Sequence, residues 1–117
     1  MPSPFINIIE QHAEEAAFLW LLYSQEQESP SPNPNQLAQL KKRINAHLKG
    51  LVQAGDDGWN CCAKALENHR EAGEVFAASM LALNSSNKGR LEIVQQTIKA
   101  APETANGMVA AQGWQLI

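Results

Sequence analysis

Cysteine, aromatic residues and long uncharged runs are all scarce in this chain of 117 residues, and each shortage excludes a class of protein. Its two cysteines, Cys61 and Cys62, are adjacent, so on a helix they would point about 100° apart and could not form a disulfide framework. The uncharged run 16–25 is far shorter than the ~20 apolar residues of a membrane span. The segment before Glu10 lacks the basic and apolar regions of a signal peptide. We therefore expect a cytoplasmic protein with no membrane insertion.

Motifs of catalysis and metal binding are also missing. The seven glycines are scattered, and neither a phosphate-binding loop nor a nucleophile or zinc motif is present. His12 and Glu15 share one predicted helix face, but His47 and His69 lie on other elements without convergent spacing. We expect His12 on the polar surface, and His47 partly buried and hydrogen-bonded. We predict no catalytic residue, no metal and no cofactor.

Charge and aromatic content argue against a nucleic-acid binder. The net charge is −3, and the one basic cluster, "KKR" at 41–43, would point to different sides of a helix. Aromatic residues make up only 6% of the chain, and the larger ones all fall in apolar stripes. We expect core positions for Trp20, Trp59, Trp114, Phe18 and Phe76. We also expect both cysteines to be small residues that fill space in the core.

What the sequence does contain is apolar residues at helical spacing almost throughout. The first helix should begin near Pro4 or Phe5 and end at about Gln27, and we expect the run "EEAAFLWLLY" at 14–23 to enter the core. Its predicted buried stripe is Ile6, Ile9, Ala13, Ala16, Trp20 and Tyr23. The stripe of the second helix is Leu37, Leu40, Ile44, Leu48 and Leu51.

Proline, asparagine and glycine mark the predicted helix boundaries. Three prolines within 29–35 predict an extended connector, followed by Asn35 as the cap of helix two. Gly55 can end that helix with a positive φ, and Asp56 or Asp57 can cap the next one. Helix four is expected to be amphipathic, with an apolar face made of Ala72, Val75, Phe76, Ser79, Met80 and Leu83.

A shift of 32 residues superimposes two helical hairpins. It places Trp59 on Leu91, Cys62 on Val94, Leu66 on Ile98, Phe76 on Met108 and Ala78 on Ala110. This spacing suits HEAT-like hairpins, so we predict one all-α domain, 1–117, folded as a right-handed α-α superhelix of about six helices. Residues 1–55 would be a divergent capping hairpin, and 56–85 and 86–117 the repeats.

The last residues, "GWQLI" at 113–117, lack the polar cap that closes most helical arrays. Either the chain is part of a longer array, or an exposed apolar edge of Trp114, Leu116 and Ile117 meets another molecule. Exposed apolar edges drive self-association, so the sequence also predicts a homodimer through the C-terminal hairpin.

Four segments carry a resemblance to a known family. "EQHAEEAAFLW" at 10–20 resembles the opening "ExHxEEAAFLW" block of a bacterial family of HEAT-repeat proteins found near type VI secretion loci. "AHLKGLVQAG" at 46–55, "GEVFAAS" at 73–79 and "NGMVAAQGW" at 106–114 look like its following blocks. The resemblance implies a cytoplasmic accessory of that machinery, although typical members look longer than this chain. It implies no catalytic residues.

We therefore predict a non-enzymatic protein-protein interaction module, such as an adaptor or chaperone-like accessory of a bacterial secretion system. The alternatives are an immunity protein that binds a secreted toxin, a helical-repeat enzyme or lyase, and a nucleic-acid binder. The partner would be a secretion component or an effector. The predicted partner-binding residues are Glu10, Glu14, Glu15, Lys41, Trp114, Leu116 and Ile117.

Overall fold

Six α-helices make up the computed structural model, which describes residues 6–116 and contains no strand within that range. The helices are α1 Ile6–Gln27, α2 Pro34–Gln53, α3 Asp56–Asn68, α4 Ala72–Ser85, α5 Lys88–Ala100 and α6 Ala105–Gly113. A 3-10 turn, Pro102–Thr104, precedes α6. The prediction of an all-α chain with about six helices is confirmed. The predicted start of α1, at Pro4 or Phe5, lies outside the described residues.

Helix α4 is the centre of the fold, because it packs against α1, α2, α3, α5 and α6. The prediction of an amphipathic α4 is wrong: every residue of the helix from Val75 to Ala82 is buried. Its second face is built of Ala77, Ala78, Leu81 and Ala82, which is mostly small residues. Small side chains give a weak apolar pattern in the sequence, yet they let neighbouring helices come close on that side.

The predicted stripes of α1 and α2 do form the core. The buried residues of the α1 stripe are Ile9, Ala13, Ala16 and Trp20. Those of the α2 stripe are Leu40, Ile44, Leu48 and Leu51. Ile6, Tyr23 and Leu37 are partly buried. The indole of Trp20 is 4% exposed and stacks on Phe76, which is fully buried, with ring centroids 5.3 Å apart. Burying such aromatic side chains contributes ~1.5–3 kcal/mol each.

Two of the predicted caps differ from those observed. Asn33, not Asn35, caps α2: its side-chain oxygen accepts a hydrogen bond of 3.1 Å from the backbone N–H of Gln36. Pro34 then starts the helix, because its fixed φ suits the first helical position. Gly55 has the predicted positive φ of 61°, and α3 begins directly at Asp56, without a side-chain cap.

Two glycines allow α4 to pack closely against α1 and α6, where any other residue would clash. A Cβ on Gly73 of α4 would lie 2.5 Å from the backbone oxygen of Ala17 in α1. A Cβ on Gly107 of α6 would lie 2.3 Å from the backbone oxygen of Ala72 in α4. Both distances are far inside van der Waals contact, so these positions fix how α1 and α6 pack on α4.

The C-terminal segment turns inward onto the core. The indole Nε1 of Trp114 donates a hydrogen bond of 2.7 Å to Oδ1 of Asn45 in α2, and its ring meets Phe76 and Tyr23 edge-on at 5.1 Å. Leu116 is also partly buried against the core. The expectation of an exposed apolar edge is therefore wrong at both residues, because core partners cover them. Ile117 lies outside the described residues.

Across residues 6–116, no helix combines the length and the apolar character needed to cross a membrane.

Candidate functional site

Three large apolar side chains of α1 face solvent: Ile8, which is 53% exposed, and the neighbouring pair Phe18 and Leu21. Phe18 is 55% exposed and Leu21 is 41% exposed, so the expectation that Phe18 lies in the core is wrong. Both residues lie opposite the buried stripe, within about 40° of Glu14 around the helix axis. The core of this chain covers one side of α1 and leaves an apolar patch on the other.

Phe18 and Leu21 form one wall of a groove, which we call the α1–α3 groove. It has a volume of about 680 Å³ and runs between α1, α3 and the segment that joins α3 to α4. From α1 it is lined by Glu10, Ala13, Glu14, Ala17, Phe18 and Leu21. From the other side it is lined by Cys61, Lys64, Ala65, Asn68, His69, Glu71, Ala72, Gly73 and Glu74.

Small residues make the interior of the groove. Ala13 and Ala17 of α1, Ala65 of α3 and Ala72 at the start of α4 line it, and Ala13 and Ala17 are at most 4% exposed. The close contact of Gly73 with Ala17 joins α1 to α4 at one edge of the groove. A groove with a small-residue interior and large apolar side chains on its wall can admit a bulky partner side chain.

The charges around the groove are mostly negative. Glu10 and Glu14 lie on α1 and Glu71 and Glu74 at the start of α4, whereas Lys64 is the one lysine among the lining residues. Burial raises the pKa of Glu74, and the neighbouring Glu71 adds to the shift. The described residues form one ion pair, Arg90–Asp56, so no described cation pairs with these carboxylates.

Neither cysteine has the properties of a catalytic nucleophile. Burial raises the pKa of the Cys61 thiol, and the carboxylates of Glu10 and Asp57 raise it further. Burial raises the pKa of Cys62 to about 12. A reactive cysteine needs a lowered pKa, so both thiols stay protonated and fill space, as predicted from the sequence.

The structure brings two histidines together that the sequence placed apart. Nδ1 of His12 on α1 and Nδ1 of His47 on α2 lie 2.9 Å apart, within hydrogen-bond distance. The expectation of no convergence is wrong for this pair, whereas His69 is exposed and lies on the α1–α3 groove. His12 is half-buried rather than on the open surface, because its ring lies against Gly50.

The histidine pair has two ring nitrogens in contact and no third ligand. Within the part of the chain that the structure describes, no group of three or more His, Cys, Asp or Glu side chains is arranged to hold a metal ion. Burial lowers the pKa of His47, and the nearby His12 and Arg43 lower it further, while Glu15 opposes them. The contact joins α1 to α2.

The predicted partner-binding residues fall into separate regions. Glu10 and Glu14 line the α1–α3 groove, whereas Glu15 is half-buried on the side of His47. Lys41 lies on α2 outside the groove, with its Nζ 5.2 Å from the centroid of the Trp114 ring. Trp114 and Leu116 belong to the core edge.

Sequence reasoning missed Phe18 and Leu21 as surface residues. A helical projection of α1 that kept the small alanines in the core would have found them, because Ala13, Ala16 and Ala17 already fill the buried side.

A second, smaller groove of about 530 Å³ lies between α3 and α5 and includes the half-exposed Ile93. Its lining is mixed in charge.

Comparison with known proteins yields no match to a protein-family model, to a curated protein or to a solved structure.

Proposed function

We propose that this chain is a non-enzymatic protein-interaction module that receives a segment of a partner protein in the α1–α3 groove. The observation that carries the proposal is the exposure of Phe18 and Leu21 on the wall of that groove. Apolar side chains that stand beside a concave surface are typical anchors of protein interfaces, because burying them on binding stabilises the complex. Phe18 and Leu21 are already about half covered, so hiding the rest of each side chain contributes about half of the ~1.5–3 kcal/mol that full burial gives.

The biological setting of the proposal comes from the resemblance of residues 10–20 to a family found near type VI secretion loci. On that basis we propose a cytoplasmic adaptor or chaperone-like accessory of a bacterial secretion system. An immunity protein that binds a secreted toxin would use the same groove and would differ only in its partner. Both roles need recognition of a protein and neither needs catalysis.

The finer architecture that we propose is a right-handed superhelix of HEAT-like hairpins. It is supported by the shift of 32 residues between 56–85 and 86–117. In that arrangement α4 and α6 are the second helices of neighbouring repeats, and these two helices pack extensively on each other. The same proposal includes 1–55 as the capping hairpin.

Self-association through the last hairpin is a separate proposal. Val109 of α6 is 66% exposed and is the most exposed large apolar side chain of that hairpin among the described residues. If α6 forms the interface, light scattering at micromolar concentration gives the mass of two chains, and Val109→Ser restores the mass of one. A single-chain mass for the unchanged protein would remove the proposal.

The central test is affinity capture from a bacterial lysate with three versions of the full chain. The first is unchanged, the second carries Phe18→Ser and Leu21→Ser, and the third carries Ile93→Ser as a control for loss of exposed apolar surface outside both the α1–α3 groove and α6. We expect a specific protein to be retained by the first and third versions and lost from the second. Circular dichroism of all three checks that the helices are intact.

Mass spectrometry of the retained protein separates the two roles. A secretion component or effector supports the adaptor role, and a toxin supports the immunity role. Equal retention of every protein by all three versions would show that the groove does not bind the partner and would remove the proposed function.

A further inference from the structure

Three properties of the α1–α3 groove restrict what can occupy it: its length, its small-residue interior and its charge. Glu10 and Leu21, the two ends of the α1 wall, are eleven residues apart, which corresponds to about 17 Å along the helix axis. This is the length of about three helical turns, and it suits a short helix better than a single side chain.

The interior of the groove suits close packing of a helix. Small residues at a contact let two helix backbones come close, and Ala13, Ala17 and Ala65 supply such residues on both sides. Phe18 and Leu21 are three residues apart on the same helix face, so they can interdigitate with apolar side chains spaced three or four apart on an incoming helix.

The charge of the groove selects the sign of the partner's polar residues. Four carboxylates, those of Glu10, Glu14, Glu71 and Glu74, are opposed by one lysine, Lys64. An incoming lysine or arginine would gain attraction from these carboxylates, whereas an incoming carboxylate would be repelled. Because Glu74 is half-buried, its pairing with a cation would be screened less by water than an ion pair on the open surface.

We infer that the occupant of the α1–α3 groove is a basic amphipathic helical segment of a partner protein. Its apolar face packs on Phe18 and Leu21, and its lysine or arginine side chains reach Glu10, Glu14 and Glu71. This inference rests on the proposed function and adds the chemistry of the segment that is bound. In this inference the apolar wall supplies most of the binding affinity, and the carboxylates select basic segments over acidic ones.

The test uses two fluorescent twelve-residue peptides that share one apolar face of leucines at helical spacing. One carries lysines on its polar face and the other carries glutamates. Anisotropy measures the binding of each peptide to the full chain at low and at high salt. We expect the lysine peptide to bind at least about tenfold more tightly at low salt, and the preference to shrink at high salt.

Two pairs of substitutions locate the effect. Glu10→Gln with Glu14→Gln removes two groove carboxylates, and Glu92→Gln with Glu103→Gln removes two exposed carboxylates outside the groove with the same change in net charge. We expect the first pair to reduce the preference for the lysine peptide to about threefold or less, and the second pair to leave it almost unchanged. Phe18→Ser with Leu21→Ser should abolish binding of both peptides.

The outcomes separate the inference from the proposed function. The inferred charge is wrong if both peptides bind equally or if the glutamate peptide binds more tightly. If Phe18→Ser with Leu21→Ser still abolishes that binding, the groove remains a docking site. If neither peptide binds to the unchanged chain and the lysate yields no groove-dependent partner, the proposed function fails as well. A preference that both glutamate pairs reduce equally reflects overall charge and overturns the inference. A dimeric mass in light scattering that Phe18→Ser abolishes would assign the groove to a second copy of the chain and would also overturn it.

Discussion

Nδ1 of His12 and Nδ1 of His47 lie 2.9 Å apart and connect α1 to α2. At this distance one ring donates its N–H and the other accepts, so at least one ring must be neutral. A second proton would replace the hydrogen bond with two facing donors of like charge. The contact therefore depends on pH in the range where histidine titrates.

We expect the stability of the fold to fall as the solution is acidified below the ordinary histidine pKa of 6.5. Burial, with help from His12 and Arg43, lowers the pKa of His47 in the folded chain, and Glu15 opposes the shift. The unfolded chain therefore binds more protons than the folded chain below that value, and the free energy of unfolding decreases as pH falls. The stabilisation is fully present above pH 6.5. Urea denaturation at a series of pH values measures it.

The histidine at position 69 supplies the control for this pH dependence, because it is exposed. His47→Gln should flatten the stability profile between pH 5 and 7, about the range in which histidines titrate, and His69→Gln should leave it unchanged. An unchanged profile in the His47 variant would assign the loss of stability in acid to other groups.

The hydrogen bond from Trp114 to Asn45 should stabilise the fold measurably. Trp114→Phe removes the donor and leaves the buried Oδ1 of Asn45 without that partner, which costs ~1–3 kcal/mol of the free energy of unfolding. Chemical denaturation of the variant checks the loss. Adding Asn45→Leu removes the unpaired acceptor, so the double variant should regain part of it. A loss under ~0.5 kcal/mol for Trp114→Phe alone would mean that the bond contributes nothing net.

Gly73→Ala should destabilise the chain, although alanine favours helices more than glycine does. The new Cβ would lie 2.5 Å from the backbone oxygen of Ala17, and a backbone atom cannot move aside as a flexible side chain can. We expect a loss of ~1–3 kcal/mol, from overpacking. Gly113→Ala is the matched control, because nothing lies within 4 Å of its Cβ, and it should be neutral or slightly stabilising. Thermal unfolding of both variants compares them, and equal melting temperatures would contradict the close approach of α4 to α1.

Cys62 should react very slowly with thiol reagents in the folded chain. Its pKa of about 12, against an ordinary value of 9.0, lowers the thiolate fraction at pH 8 by ~10³, and the side chain is buried. Cys61→Ala leaves Cys62 as the one thiol. The reaction of this thiol with an aromatic disulfide, followed by absorbance, should be rapid only in denaturant. Rapid reaction without denaturant would mean that α3 opens often.

Local periodicity was enough to predict the helices and the buried stripes of α1 and α2. A helix repeats every 3.6 residues, so Ile44, Leu48 and Leu51 mark one side of α2 whatever packs against it. The same signal fails where apolar residues surround the helix. In α1, the large apolar residues of 18–22 outweigh the small alanines in the pattern, so Phe18 was expected in the core although it is exposed.

Contacts between distant residues could not be predicted either. His12 and His47 are 35 positions apart, and Asn45 and Trp114 are 69 apart. Whether such residues meet depends on how α1, α2 and the C-terminal segment are arranged in space. No local spacing encodes that arrangement, so the prediction of an exposed C-terminal edge was wrong at Trp114, and the histidine contact was missed.

The enclosure of α4 from Val75 to Ala82 has a consequence for how the chain can be divided. Its neighbours come from both the earlier and the later parts of the sequence, so neither half carries all the surfaces that keep this helix dry. A fragment that ends before Lys88 would leave the sides of α4 that α5 and α6 cover open to water, and it should be prone to aggregation. Engineering that swaps or removes single hairpins would therefore have to redesign the surface of α4 at the same time.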